Sequence, residues 1–267
     1  MTRIAMNGAA GRMGRRILAI AMGFSEYKVV GTFESKNSKW FGKEITIEDE
    51  HKFMIRELST AILKQRKEKG VLIDFSAPAG TTTALLTARE AGWGLVIGTT
   101  GLDEGTVRLI NDCSRKIPIV YTSNMSVGAN LMFELVAMAA QKLKNFDAEV
   151  AEAHHKHKKD APSGTAFSLV AAIAEARGWN PKKSIKLRQE GKSDKDRGHK
   201  EIGVQVVRAG EIVGDHTVLF AGLSETLEIR HHAQTRTAFG RGALLAAEFV
   251  SKKAKGLYTM KEVLGQK

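Results

Sequence analysis

Residues 3 to 16 read RIAMNGAAGRMGRR. The first five form the short apolar run of a buried strand, the glycines Gly8, Gly11 and Gly14 follow at once, and Met13, Ile17, Leu18, Ala21 and Met22 then recur at helical spacing. Strand, glycine turn and helix in that order open a βαβ unit. Backbone amides at such a turn can approach a pyrophosphate, and the helix dipole favours its negative charge. A glycine triplet alone is also compatible with a plain tight turn; the flanking strand and helix favour the nucleotide reading.

Working outward, the alternation continues. Strands are expected at 28 to 33, 71 to 75, 94 to 97 and 117 to 121, separated by helices at about 51 to 69, 81 to 91 and 103 to 115. Strands interleaved with helices imply a parallel sheet. After Asn124 the rhythm changes. A long apolar helix from about 126 to 144 leads into a strand at 148 to 155, and the runs 201 to 209, 216 to 221 and 226 to 233 alternate as half-buried antiparallel strands do. The stretch RQEGKSDKDRGHK, 188 to 200, has no apolar periodicity and reads as a mobile loop. From Phe239 the chain is helical again, the kind of terminal helix that packs back onto a first domain. The expected class is α/β: a Rossmann-like parallel-sheet domain (1–126 and 236–267) plus a second α+β domain with an open mixed sheet (127–235).

The chain has 267 residues, 43% of them apolar and 26% charged, so it can bury a real core and is unlike a disordered or collagenous chain. A single cysteine, Cys113, excludes an intramolecular disulfide and a cysteine-based zinc site and points to the cytoplasm. Forty-one basic against 29 acidic residues leave a net charge of +12. That charge fits nucleic acid, an anionic membrane or anionic small molecules. The longest apolar stretches fall short of the roughly 18 residues that a membrane span needs.

Two segments carry chemistry. In the first half, Glu34 ends the second strand 26 residues beyond Gly8, near where an acid hydrogen-bonds the adenosine ribose hydroxyls. An acid there favours NADH, while Lys36 and Lys39 are placed to accept a 2′-phosphate. Gly98, Thr99 and Thr100 close the fourth strand at the edge where open parallel sheets bind ligands.

The second segment, EAHHKHKKDAPSGTA at 152 to 166, concentrates three histidines and three lysines before Ser163, Gly164 and Thr165 open an apolar helix. Free amides at that helix start, with the Ser163 and Thr165 hydroxyls and nearby cations, can hold a carboxylate. Histidine and lysine beside it offer proton donors. Three other readings compete: a solvated basic loop, a divalent-metal site on H-H-x-H, and a phosphate-backbone contact. The lysines oppose a metal, and no aromatic residue is interleaved for nucleic acid.

The motifs NGAAGRMGR (7 to 15), DFSAP (74 to 78), IGTTGLD (97 to 103), SNMSVGAN (123 to 130), EAHHKHKKDAPSGTA (152 to 166), VRAGEIVGDHTVLF (207 to 220) and LEIRHHAQTR (227 to 236) together resemble the dihydrodipicolinate reductase family. The resemblance implies NAD(P)H-dependent reduction of a small cyclic imine dicarboxylate in lysine and diaminopimelate biosynthesis, hydride reaching ring carbon 4 after loss of water. It also implies a homotetramer built through the second domain, with no nucleic acid, membrane or metal partner. Matching positions imply cofactor contacts at Gly8, Ala9, Ala10, Gly11, Arg12, Met13, Glu34, Gly98, Thr99, Thr100, Thr122, Ser123, Asn124 and Met125. They imply His154 and Lys158 as proton-transferring residues, and His155, Ser163, Gly164 and Thr165 as substrate grips. Some family members carry arginine directly after the strand-two acid; here that position is Ser35.

Overall fold

The computed structural model describes residues 1–65, 68–187 and 197–265. The chain divides into two compact units, Met1–Val127 with Arg236–Lys267, and Gly128–Thr235.

In the first unit the chain runs β1 (Thr2–Asn7), α1 (Arg12–Met22), β2 (Tyr27–Phe33), β3 (Glu44–Ile47), β4 (His51–Met54), α2 (Thr60–Lys64), β5 (Val71–Asp74) and α3 (Pro78–Ala91). It continues through β6 (Gly94–Ile97), α4 (Glu104–Ser114) and β7 (Pro118–Tyr121) to the start of α5 (Val127–Lys142). The second unit holds most of α5, then β8 (Asp147–His154), α6 (Gly164–Ala176), α7 (Pro181–Ser184), β9 (Ile185–Leu187), β10 (Ile202–Arg208), β11 (Asp215–Ala221) and β12 (Thr226–His232). The chain then returns to the first unit with α8 (Thr237–Ser251), β13 (Gly256–Tyr258) and α9 (Met260–Val263).

Strands of the first unit form a parallel sheet in the order β13-β7-β6-β5-β1-β2. Strand alternation sorts its side chains between two cores. Ile4, Met6, Ile73 and Val96 pack with α1 and α8 through Ile17, Leu18, Leu244 and Ala247. Ala5, Leu72, Leu95 and Ile119 pack with α3 and α4 through Leu85, Ala88, Ile110 and the buried Cys113. Because the chain leaves β1 for β2 on one side and re-enters at β5 on the other, strand order reverses between β1 and β5. A doubly wound sheet opens a ligand crevice at that place.

The second unit has an open mixed sheet in the order β12-β11-β8-β10-β9. One face carries α5 and α6, with Val136, Ala140, Leu169 and Ile173 packed on Val150, Val204, Val218 and Phe220. The Rossmann-like parallel sheet and the open mixed sheet are both as expected.

Two expectations need correction. The segment 51 to 69 is not one helix: His51–Met54 pairs antiparallel with Glu44–Ile47, and only Thr60–Lys64 is helical. Phe53, Ile55 and Leu58 satisfy either period over so short a window. What decides is the unread partner strand, whose Ile45 and Ile47 are buried, and a turn with Glu48 and Asp49 in the left-handed region (φ 49° and 56°). Second, β10 runs parallel to β8 and β9, not antiparallel. Alternation reports one-sided burial and carries no information on direction. The edges β9 and β13, for which no expectation was stated, are three residues each, too short to show a period. Of the stretch expected to be a mobile loop, residues 188–196 lie outside the described residues.

Candidate active site

The crevice at the β1–β5 switch is a cavity of about 580 Å³ whose lining includes Asn7, Gly8, Gly11, Glu34, Phe75 and Gly80. Gly8 adopts φ +79°, and a β-carbon there would lie 2.3 Å from the Phe75 carbonyl oxygen, so only glycine makes this turn. Gly11 stands at the N-cap of α1 without a side-chain hydrogen bond, leaving the amides of the first turn uncapped by any side chain. Glu34 reaches back to this turn: its Oε1 accepts from the Ala10 amide at 2.8 Å. Ala9 is buried and Met13 half-buried, while Arg12 is exposed at the helix start. Uncapped amides, an acid on the turn and a crevice of this volume fit a dinucleotide.

Beneath the crevice sits a carboxylate that the sequence reading did not single out. Asp74, fully buried, accepts from Asn7 Nδ2 (2.7 Å), Ser76 Oγ (2.6 Å), Thr81 Oγ1 (2.6 Å) and Thr99 Oγ1 (2.8 Å). These four donors come from the ends of β1 and β5, the start of α3 and the loop after β6. Asp74 therefore ties the glycine turn to the loop carrying Gly98 and Thr99. Thr100 is exposed beyond it. The loop after β7 is knitted by its own bonds, the Thr122 hydroxyl donating to the Asn124 carbonyl (3.1 Å) and the Ser126 amide donating to Asn124 Oδ1 (2.8 Å). Ser123 is exposed on that loop and Met125 is buried.

In the second unit the structure splits the histidine–lysine segment. His154, last residue of β8, is buried, whereas Lys156, His157 and Lys159 are exposed. His157 faces Glu211 at 3.9 Å in a solvent-exposed pair. Lys158 is half-buried and paired with Asp160 at 2.8 Å, and its amide donates to the His155 carbonyl. The cationic segment is thus partly neutralised by acids.

Two strand residues on neighbouring positions of one face, Glu152 and His154, point into the same buried cluster. Glu152 Oε1 accepts from the Ser163 amide and from Arg208 Nη2, both at 2.9 Å, and its Oε2 lies 2.9 Å from His154 Nδ1. Burial pushes the Glu152 carboxyl up, yet the contacts from His154, Ser163 and Arg208 prevail and hold it well below the usual carboxylate range. His216 Nε2 stands 3.4 Å from Ser163 Oγ, and its ring meets that of His154 edge-on at 5.1 Å. Burial, then the nearby His154 ring, push His216 down to about 4, so it is neutral at pH 7. Ser163 also caps α6, accepting from the Ala166 amide at 3.2 Å, with Gly164 exposed and Thr165 buried at the same helix start. His155, half-buried, begins the loop after β8.

Glu152, His154 and His216 offer donor atoms within 4.8 Å of one another. Arg208 already supplies the counter-charge on that carboxylate, which argues for a proton-handling cluster over a cation site. Arg208 and His216 escaped assignment because they lie more than 50 positions from His154 and meet it only through the sheet register, Arg208 opposite His154 and His216 opposite Glu152. Their one sequence signal was the motif at 207 to 220.

Both units match one family. The N-terminal dihydrodipicolinate reductase model covers residues 2–125 and the C-terminal model residues 128–264. The chain belongs to the dihydrodipicolinate reductase family. Among relatives, it is 39% identical to the 4-hydroxy-tetrahydrodipicolinate reductase of Nitrosomonas eutropha, over 99% of this chain and 98% of that protein. It is also 39% identical to the enzyme of that name from Pseudoalteromonas translucida, again over 99% and 98%. A dihydrodipicolinate reductase from Paenisporosarcina, solved with dipicolinate bound, shares the fold at a TM-score of 0.77 and 22% identity, over 98% of this chain and 99% of that one. Among the described residues of this family member, no helix is long and apolar enough to cross a membrane.

Proposed function

We propose that this chain reduces 4-hydroxy-tetrahydrodipicolinate to tetrahydrodipicolinate with loss of water, at the expense of NADH or NADPH, in lysine and diaminopimelate biosynthesis in the cytoplasm. The full-length identity near 39% to reductases of that name carries the reading.

In this reading the first unit holds the dinucleotide, Gly8 to Met13 on the pyrophosphate, Glu34 on the ribose, and Gly98 to Thr100 with Thr122 to Met125 toward the nicotinamide end. The reduced nicotinamide supplies hydride when bound. Lys36 is paired with Glu57 at 3.1 Å on the crevice rim, so a 2′-phosphate must compete with that carboxylate. NADH is accordingly the favoured donor and NADPH a usable one. The second unit holds the dicarboxylate, its charge met by His155 and by Ser163, Gly164 and Thr165 at the start of α6. His154 and Lys158 stabilise the electrons driven toward the ring nitrogen and then protonate the resulting enamine to give the product. The same unit is assigned self-association into a homotetramer. Val207 exposes an apolar side chain on the face of the mixed sheet opposite α5 and α6, which supports that assignment.

The test is a coupled assay in which an upstream synthase makes the substrate and consumption of NADH and of NADPH is followed. The account expects turnover with both, fastest with NADH. His154→Ala and Lys158→Ala should each lower kcat about 100-fold or more, the scale of general acid catalysis. Nearly full turnover in either variant removes the role assigned to that residue.

A further inference from the structure

His154 can transfer a proton to substrate only if one ring nitrogen faces it while the other is held. Nδ1 lies 2.9 Å from Glu152 Oε2, an ion-pair contact. The opposite nitrogen, Nε2, has its near side kept open by Gly214: a β-carbon on that residue would lie 3.2 Å from Nε2. Glu152 is itself held through Oε1, while Oε2 has the His154 ring as its near neighbour. Its side chain is fully buried, the Ser163 amide and Arg208 hold Oε1, and Arg208 is anchored in turn on the Asp160 carbonyl at 2.6 Å. A carboxylate that can neither rotate nor escape to solvent imposes its geometry on the ring it touches.

We propose that Glu152 is the positioning residue of the reaction: as a permanent anion it keeps the proton of His154 on Nδ1 and so makes Nε2 the atom that passes a proton to substrate. The inference rests on the reading of His154 as the proton donor. Before transfer His154 carries protons on both nitrogens. The Nε2 proton leaves for the reduced ring, Nδ1–H stays against Glu152, and the carboxylate keeps its charge throughout. Arg208 balances that charge, so the cluster can stay ionised while buried. The other groups on the face of the pair are His216 from β11, opposite Glu152, and His231 from β12, opposite His216; Asp160, whose carbonyl accepts from Arg208, pairs with Lys158 in the loop after β8, and Asp215, opposite Ala153, lies on the other face. Asp215 is spent on His232 and Arg230, and His216 is neutral, which leaves Glu152 as the negative charge beside the ring.

Glu152→Gln tests this at constant shape. The amide can still accept from the Ser163 amide and Arg208, but it then turns a donor toward Nδ1 and favours the wrong tautomer. The expected outcome is a kcat about 100-fold lower, a substrate KM within threefold of wild type, and an alkaline limb of the kcat profile displaced about one unit to lower pH. If Glu152→Gln fails to fold, 15N histidine spectra of the wild-type chain decide instead: the neutral form of His154 should carry its proton on Nδ1. Wild-type kcat and pH profile in Glu152→Gln, or a neutral His154 protonated on Nε2, overturns the inference. The two readings fail separately. An active His154→Ala defeats the proton-donor assignment, whereas an inactive His154→Ala beside an unaltered Glu152→Gln defeats only the positioning role.

Discussion

The two units each bury one carboxylate at the end of a strand, and they satisfy it by opposite means. Asp74 is surrounded by neutral donors, one amide and three hydroxyls, drawn from four separate segments. Glu152 is met by a guanidinium, an imidazole and one backbone amide. A neutral cage gathers loops and leaves the net negative charge to be offset by oriented dipoles; it suits a carboxylate whose task is to hold a crevice in shape. A cage containing titratable and cationic partners ties the carboxylate to the proton inventory of its neighbours. Under the proposed function, the first arrangement would serve binding and the second chemistry.

Removing each carboxylate separates the two kinds. Asp74→Ala removes the shared acceptor of three buried donors, Asn7, Thr81 and Thr99, and of the half-buried Ser76, and should cost about 3 kcal/mol or more in urea unfolding; a loss below about 1 kcal/mol breaks the comparison, since the cage would then have no structural task. Acid titration sharpens the other side. His216 is held down at about 4 against 6.5 when unfolded, so the neutral ring is favoured in the fold. Its stabilising share is complete above pH 6.5 and is lost as pH falls from 6.5 toward 4, by at most about 3 kcal/mol. Glu152, depressed in the fold, adds a loss that begins only below about pH 5. Wild-type stability should therefore slope upward between pH 4 and 6.5, and His216→Gln should flatten that slope; an unchanged slope assigns it elsewhere. The smallest expected effect concerns a third acid, Glu34, which is half-buried on the glycine turn. Glu34→Ala should weaken NADH about tenfold, near 1.4 kcal/mol, and NADPH less. Equal effects on the two remove its ribose assignment.

The parallel sheet was legible because its central strands β5 and β6 are fully buried, mostly apolar runs and its first turn needs glycine at Gly8. The mixed sheet was legible in outline, but the direction of β10 was not, because the same alternation serves a parallel and an antiparallel neighbour. The β3–β4 hairpin was lost to a window in which two periods fit equally. In the site, His154, Lys158 and Ser163 stand within ten positions of one another and declare themselves. Asp74 and Glu152 sit inside the recognised motifs, yet their partners are supplied by register and crossover, which no local pattern encodes. Buried polar networks are assembled by tertiary structure, which is why residues adjacent in sequence are legible while their distant partners are not.

The division between a unit that holds cofactor and a unit that moves protons is tested most directly by one pair of numbers on one variant: the dissociation constant for NADH and the kcat of His154→Ala. The account predicts a dissociation constant within about twofold of wild type while kcat falls about 100-fold or more. A variant that loses NADH affinity in step with turnover, or that keeps both, contradicts it.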